Sequence, residues 1–190
     1  MPLKCGIVGL PNVGKSTLFN ALTESTIPAE NYPFCTIAPH TGIVELPDSR
    51  LMELGKIYKP QKIVPATVEF TDIAGLVRGA SRGDGLGNQF LGQIRQTNAI
   101  LHVIRCFNNE NVAHVDGSIN PVRDAETIEI ELLLADLETL EKQKQKLEKK
   151  VKTKEKGSKK VLHFINKLIR HCANGRRART FDMDQDLRYI

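Results

Sequence analysis

Gly9-Leu-Pro-Asn-Val-Gly14-Lys15-Ser16 fits G-x-x-x-x-G-K-[ST], the spacing of a phosphate-binding loop. Glycine lets backbone pass close to a phosphate, so the amides of Asn12, Val13, Gly14, Lys15, Ser16 and Thr17 can be aimed at phosphate oxygens. Lys15 supplies a full positive charge to the β- and γ-phosphates, and the Ser16 hydroxyl can ligate Mg²⁺. The plainer alternative is a glycine-rich turn without a ligand. Against it, the motif follows an apolar strand-like run, Leu3–Gly9, and opens helical spacing over Lys15–Leu22, where a helix N-terminus adds favourable partial charge.

Asp72-Ile-Ala-Gly75 forms a D-x-x-G element at the end of the strand-like segment Ala66–Asp72. An Asp at the carboxyl end of a parallel strand lies on the ligand edge of a sheet. From there Asp72 can hold Mg²⁺ through water while the Gly75 amide senses the γ-phosphate. In the proline-rich segment between the two motifs, Thr36 is the candidate hydroxyl that reaches Mg²⁺ in the triphosphate state, with Thr23, Thr26 and Thr41 as rivals and a solvated loop threonine as the alternative. Four glycines within Arg78–Gly87 describe a loop able to reorder on hydrolysis. His114 follows the apolar run Ala99–Phe107, on the side expected to face the nucleotide; its neutral imidazole can position or deprotonate water, or it is a solvated loop histidine. His102 alternates within that run and reads as a packing residue.

The elements needed to position these groups are visible in the periodicity. Leu3–Gly9, Thr41–Leu46, Ala66–Asp72 and Ala99–Phe107 read as strands, the last as a strong buried one, and Lys15–Leu22 and Leu86–Thr97 read as helices. Strands alternating with helices imply an α/β fold with a mainly parallel sheet. Leu133, Leu137, Leu140, Lys144, Leu147 and Val151 then step by heptad spacing; Gly157-Ser158 interrupts, and Val161, Ile165, Leu168 and Cys172 resume it. Two such stripes around a break predict an antiparallel helical hairpin or coiled coil.

Of the 190 residues 41% are hydrophobic and 26% charged, which excludes a disordered or collagen-like chain. No run approaches the roughly 18–20 apolar residues a membrane span needs, and the start carries no signal stretch, so a cytoplasmic, non-membrane monomer is expected. Cys5, Cys35, Cys106 and Cys172 show no metal-ligand spacing. The net charge of +5 conceals a split: residues 1–141 carry 11 Lys/Arg against 17 Asp/Glu, and residues 142–190 carry 16 against 5. Within 142–179 the ratio is 15 to 2, too lopsided for salt-bridge lacing, and it favours a polyanion. With few aromatics, backbone contact to structured RNA fits better than base stacking; the alternative is a solvated helix face.

The segments GLPNVGKS, NYPFCT, DIAGLVRGAS and GDGLGNQFL together resemble the YchF type of Obg-related, translation-factor-class GTPases, over essentially the whole chain. The resemblance implies a Ras-like P-loop NTPase domain with an inserted helical hairpin, Mg²⁺ dependence, ribosome association, and ATP preferred over GTP; the basic 142–179 hairpin is the expected contact to ribosome or rRNA. It also implies a C-terminal TGS domain that is not found in these 190 residues. Many GTPases place a water-orienting Gln after D-x-x-G, where this chain has Leu76, so slow unaided hydrolysis is expected. Asn12 resembles the asparagine that ligates K⁺ in potassium-activated relatives, or it is a turn asparagine. The base-recognition motif N-K-x-D, or N-x-x-E, has no suitable counterpart, since Asn166-Lys167-Leu168-Ile169 falls on the helical stripe. The expected organisation is an incomplete nucleotide-binding domain over 1–125, a hairpin over 126–180 and a return segment over 181–190, with Ala99–Phe107 at an open edge of the sheet. A metabolic P-loop kinase and an RNA-binding module using nucleotide structurally are the rival readings. If Lys15 grips the β- and γ-phosphates, Lys15→Ala abolishes tight triphosphate binding in calorimetry with unchanged circular dichroism; unchanged affinity would refute the phosphate-loop reading.

Overall fold

A computed structural model describes residues 2–25, 40–75 and 86–182. The elements in chain order are β1 (Leu3–Val8), α1 (Lys15–Thr23), β2 (His40–Glu45), α2 (Ser49–Tyr58), β3 (Thr67–Asp72), α3 (Leu86–Ile94), β4 (Ala99–His102), α4 (Pro121–Lys152) and α5 (Ser158–Ala173), followed by a 3-10 turn at Ala178–Thr180. They divide into two compact units, Met1–Ile128 and Glu129–Ile190.

In the first unit the strands form one sheet in the order β2-β3-β1-β4. β1 runs parallel to both β3 and β4, and β2 is antiparallel to β3. The sheet is therefore mainly parallel, as the alternating pattern predicts. β1 lies in the middle, and its apolar composition suits a strand covered on both faces: Ile7 and Val8 have no exposure and Cys5 is buried. Phe19 of α1, Ile73 after β3, Leu91 of α3 and Ile128 of α4 complete the core, each such side chain contributing on the order of 1.5–3 kcal/mol by its removal from water.

Two expectations are corrected. The run Ala99–Phe107 is a strand only over Ala99–His102, and it is not buried: Ile100 and Leu101 are 40% and 38% exposed. Among the described residues β4 pairs with β1 alone, so one side of it has no neighbouring strand. Beyond Val103, whose amide still donates to the Val8 carbonyl, the chain leaves the sheet. The second correction is α2, which is not among the expected elements. Asp48 caps it by accepting from the Arg50 amide at 3.0 Å, yet none of its residues is buried.

Arg105 explains why the chain turns away after β4. It is 1% exposed, and its guanidinium donates to the carbonyls of Phe107, Asn109 and Val112 at 3.2, 3.1 and 3.0 Å while stacking 4.8 Å from the Phe107 ring. Its five donors suit a loop whose successive backbone oxygens converge on one buried cation. The chain then enters α4 through an Asn120 cap, which accepts from the Arg123 amide at 3.1 Å, with Pro121 in the first helical position.

In the second unit, α4 and α5 are joined by a turn in which Lys154 and Gly157 adopt positive φ. Arg177, just beyond α5, pairs with Glu129 of α4, so the chain returns antiparallel. Val161, Ile165, Leu168 and Cys172 lie on the less exposed side of α5, with Cys172 completely buried. Residues 174–182 fold onto the end of α5: Phe181 packs edge-on against Phe164 and His171, and His171 Nε2 lies 2.9 Å from the Thr180 hydroxyl.

Arg105→Ala removes three side-chain hydrogen bonds and a buried guanidinium from the loop, the Asn109 carbonyl keeping its bond from the Val112 amide, and should lower stability by about 1–3 kcal/mol. Urea unfolding measures it. A loss below about 0.5 kcal/mol would mean the loop does not depend on this side chain.

Candidate functional site

The strand register sets the site. Ile7 lies opposite Asp72 and Val8 opposite His102, so β1, β3 and β4 all end at the same, carboxyl-terminal edge. The chain leaves β1 there and turns through Asn12 (φ 60°) and Gly14 (φ 100°) into α1. Glycine alone takes a φ of 100° without strain, which explains Gly14. No side chain caps α1 and no acidic residue stands in its first turn, an arrangement that leaves the amide end to an incoming anion.

Lys15 is 8% exposed, and its Nζ donates to the Leu10 carbonyl at 2.9 Å. Burial pushes its pKa down to about 8, against the opposing pull of the Asp72 carboxylate. The Ser16 hydroxyl donates to Asp72 Oδ2 at 2.6 Å. Asp72 is 8% exposed, and its other oxygen, Oδ1, is buried with no hydrogen-bond partner among the described residues. A hydroxyl, a carboxylate and an orphaned carboxylate oxygen form a hard-oxygen donor set that fits Mg²⁺. Behind them, a Cβ on Gly75 would come within 2.8 Å of the Pro11 ring and backbone nitrogen. The D-x-x-G backbone is pressed against the phosphate loop, and only glycine permits it.

The loop after β4 joins the same edge. The Asn12 side-chain amide donates to the Ala113 carbonyl at 3.2 Å, fixing the residue before His114 to the phosphate loop. His114 is not a solvated loop residue: its side chain is 5% exposed. It borders a cavity of about 570 Å³ shared with Arg105, Phe107, Asn109 and Ser118. Its Nδ1 accepts from the Asp116 amide at 3.1 Å, which assigns the neutral ring's proton to Nε2, 2.9 Å from Asp124 Oδ2. With both nitrogens engaged, service as a base requires the Asp116 amide to give way to water. Asp116 and Asp124 could with His114 hold a metal, their donor atoms lying within 4.8 Å. Arg123 already occupies both carboxylates, at 3.4 Å and 2.9 Å.

Of the other expected site residues, Val13 is buried and Thr17 lies on the exposed side of α1. Thr36 and Leu76 lie outside the described residues, as do Thr26 and residues 78–85. Thr23 donates to its own helix at Phe19, and Thr41 is in β2. His102 is half-buried at the end of β4, and Asn166-Lys167 lies within α5. Asp124 and Arg123 were not anticipated; the signal available was Asn120-Pro121 followed by acidic residues, the mark of a helix start and not of a site.

The model of the 50S ribosome-binding GTPase family matches residues 4–187. The chain is 55% identical to the ribosome-binding ATPase YchF of Pasteurella multocida, over 98% of the chain and 51% of that protein. It is 50% identical to the protein of the same name in Bacillus subtilis, over 98% of the chain and 51% of that protein. The solved YchF GTPase of Schizosaccharomyces pombe superposes with a TM-score of 0.72 at 39% identity, covering 97% of the chain and 50% of that structure. The chain thus spans about half the length of the curated relatives it matches.

The lowered proton affinity of Lys15 has a measurable consequence. Free protein loses the Lys15 proton as pH rises through about 8, whereas bound phosphate favours the charged form and raises the pKa. Triphosphate affinity should therefore hold below about pH 7 and fall above about pH 8, approaching tenfold per pH unit, with proton uptake on binding. Calorimetry in two buffers of different ionisation enthalpy tests it; an affinity flat across this range would remove Lys15 from the phosphate contact.

Proposed function

Because the chain belongs to the 50S ribosome-binding GTPase family, we propose that it is a Mg²⁺-dependent nucleoside triphosphate hydrolase that acts as a conformational switch on the ribosome, with ATP preferred over GTP. The observation that carries the reading is the pairing of Ser16 with Asp72 beside a buried Lys15, with the second Asp72 oxygen unpartnered. The names of the relatives, ribosome-binding ATPases, support the nucleotide and the partner.

In this reading the α1 amides of Lys15, Ser16 and Thr17, with those of Asn12, Val13 and Gly14, cradle the phosphates, and Lys15 binds the β- and γ-oxygens. Ser16 holds Mg²⁺ directly, Asp72 through water, and Thr36 joins them in the triphosphate state. Mg²⁺ supplies charge neutralisation on the phosphate oxygens. The Gly75 amide reports on the γ-phosphate because its backbone already rests on Pro11. Leu76 offers nothing to orient water, so His114, tied to the phosphate loop through Ala113 and Asn12, is the side chain that does. Asn12 is the residue that would ligate K⁺ beside the phosphates in this reading.

The hairpin is the ribosome-facing element in this reading, contacting rRNA phosphates. Arg123 apart, the end charges of α4 follow its macrodipole, with Asp124 in the first turn and Lys149, Lys150 and Lys152 in the last, and need no partner to explain them. α5 is the opposite case. Its first turn holds no acidic residue but Lys159 and Lys160, which oppose the dipole, and Gly157 gives no side-chain cap. Positive charge placed against helix stability supports a polyanionic partner.

Two measurements test the function. ATP and GTP turnover, with and without ribosomes, should show slow intrinsic hydrolysis that ribosomes accelerate; binding without turnover under both conditions would favour a module that uses nucleotide structurally. Replacing Lys154, Lys156, Lys159 and Lys160 by Glu should weaken ribosome co-sedimentation and flatten its salt dependence, with triphosphate affinity kept within about twofold. Equal co-sedimentation of both proteins across a salt series would return the basic run to a solvated face.

A further inference from the structure

We infer that Asp124, in the first turn of α4, is the positioning residue that sets the tautomer and orientation of the His114 ring for hydrolysis, an inference that rests on the reading of His114 as the water-handling group.

The geometry around the ring admits one neutral arrangement. The Asp116 amide donates to Nδ1 at 3.1 Å, so Nδ1 carries the lone pair and Nε2 the proton, directed at Asp124 Oδ2 at 2.9 Å. Both side chains are withdrawn from water, His114 at 5% and Asp124 at 2% exposure, where such a bond is stronger than at a surface. The carboxylate is itself held. Its Oδ1 accepts from Arg123 Nε and Nη2 at 3.1 and 2.9 Å, and Arg123 donates onward to Ser118 Oγ at 3.0 Å. Its backbone amide donates to the Asn120 carbonyl at 3.0 Å. A carboxylate gripped from both sides cannot rotate away from the ring.

A buried His–Asp pair can be a mere staple between a loop and a helix. Two observations favour more. Ala113, directly before His114, is bonded to Asn12 of the phosphate loop, so the ring hangs between that loop and α4. The ring also borders the 570 Å³ cavity, an open space beside it for water, and Nδ1 becomes available once the Asp116 amide yields. A water there transfers one proton to Nδ1 as its oxygen bonds to the γ-phosphorus. The bond from that phosphorus to the β–γ bridging oxygen breaks, and its electron pair leaves on the nucleoside diphosphate. The imidazolium formed faces the Asp124 carboxylate and then returns its proton to solvent, with inorganic phosphate as the second product. Asp124 touches neither water nor phosphate; it acts through the ring.

The test combines imidazole ¹⁵N spectra with steady-state hydrolysis on the full chain. The unmodified protein should show His114 as the Nε2–H tautomer. Asp124→Asn should shift it toward the Nδ1–H form, because the carboxamide can donate to Nε2, and should lower kcat roughly tenfold or more with KM within about twofold. Asp124→Glu should recover part of both. An Nδ1–H tautomer in the unmodified protein overturns the proposal without need of any variant that might fail to fold. So does Asp124→Asn with an unchanged rate, even if His114→Ala is inactive, in which case the reading of His114 survives alone. A normal rate in His114→Ala overturns both.

Discussion

An ammonium group removed from water must find oxygen in the fold, and Lys15 finds it in the Leu10 carbonyl one turn of loop earlier and in the field of Asp72 across the sheet. That requirement ties together features that look independent. Asp72 can reach the site only if β3 lies beside β1 and parallel to it, with Ile7 and Asp72 in register. The loop before Lys15 can present the Leu10 carbonyl only if Asn12 and Gly14 turn through positive φ. The D-x-x-G backbone can close behind them only if position 75 has no side chain. The arrangement is not stable for its own sake. A proton affinity lowered from 10.5 to about 8 means that burying the charged Lys15 costs about 3 kcal/mol near neutral pH, a cost that fades as pH rises through the folded and then the unfolded value. Asp72 Oδ1 adds a second local deficit. Under the proposed function one ligand, a phosphate chain with its divalent cation, would relieve both.

The hairpin shows the same logic in its charges. In α4 the last-turn Lys149, Lys150 and Lys152 and the first-turn Asp124 suit the macrodipole, with Arg123 the exception. Lys142, Lys144 and Lys150 are further matched by Glu138, Glu141 and Glu155, exposed pairs worth little each. The basic start of α5 runs against the macrodipole instead. Lys159 and Lys160 stand where an acidic residue would stabilise the helix, on a glycine cap that offers no side-chain oxygen. Where local stability and sequence disagree, the disagreement belongs to function more often than to folding.

What was legible in the sequence was what depends on near neighbours. The phosphate loop is contiguous, its glycines and Lys15 act through local backbone, and β1, β3 and the heptad stripe of α5 follow single periodicities. Two errors have a common cause in longer range. Ala99–Phe107 reads as one apolar strand, but Arg105 draws its own loop carbonyls inward and ends the pairing at His102. α2 was legible but overlooked: Leu51, Leu54 and Tyr58 stand at helical spacing behind the Asp48 cap, although none of them is buried. Asp124 was invisible as a partner of His114 because nine residues of loop and helix start intervene. Thr36 and Leu76 fall outside the described residues.

The loop between β4 and α4 is held at three kinds of anchor. Arg105 gathers its carbonyls from within, Asn12 holds it at Ala113 from the phosphate loop, and Asp124 holds it at His114 from the first turn of α4. A segment fixed internally by a buried guanidinium moves largely as a body, the Asp116 amide being the one local contact that must yield at the ring. The ring of His114 therefore cannot change its distance from the phosphate loop without a change at Asp124, and α4 cannot change its start without a change at the ring. Reciprocity follows from thermodynamics: whatever binding at the phosphate loop does to the start of α4, a load on α4 does to phosphate binding with equal coupling energy. α4 is a single helix from Pro121 to Lys152 and bears basic residues in its last turn. The helix whose first turn holds the histidine is thus the same helix whose last turn bears Lys149, Lys150 and Lys152, and under the proposed function that continuity is a physical route by which a partner on the basic end would act on the ring.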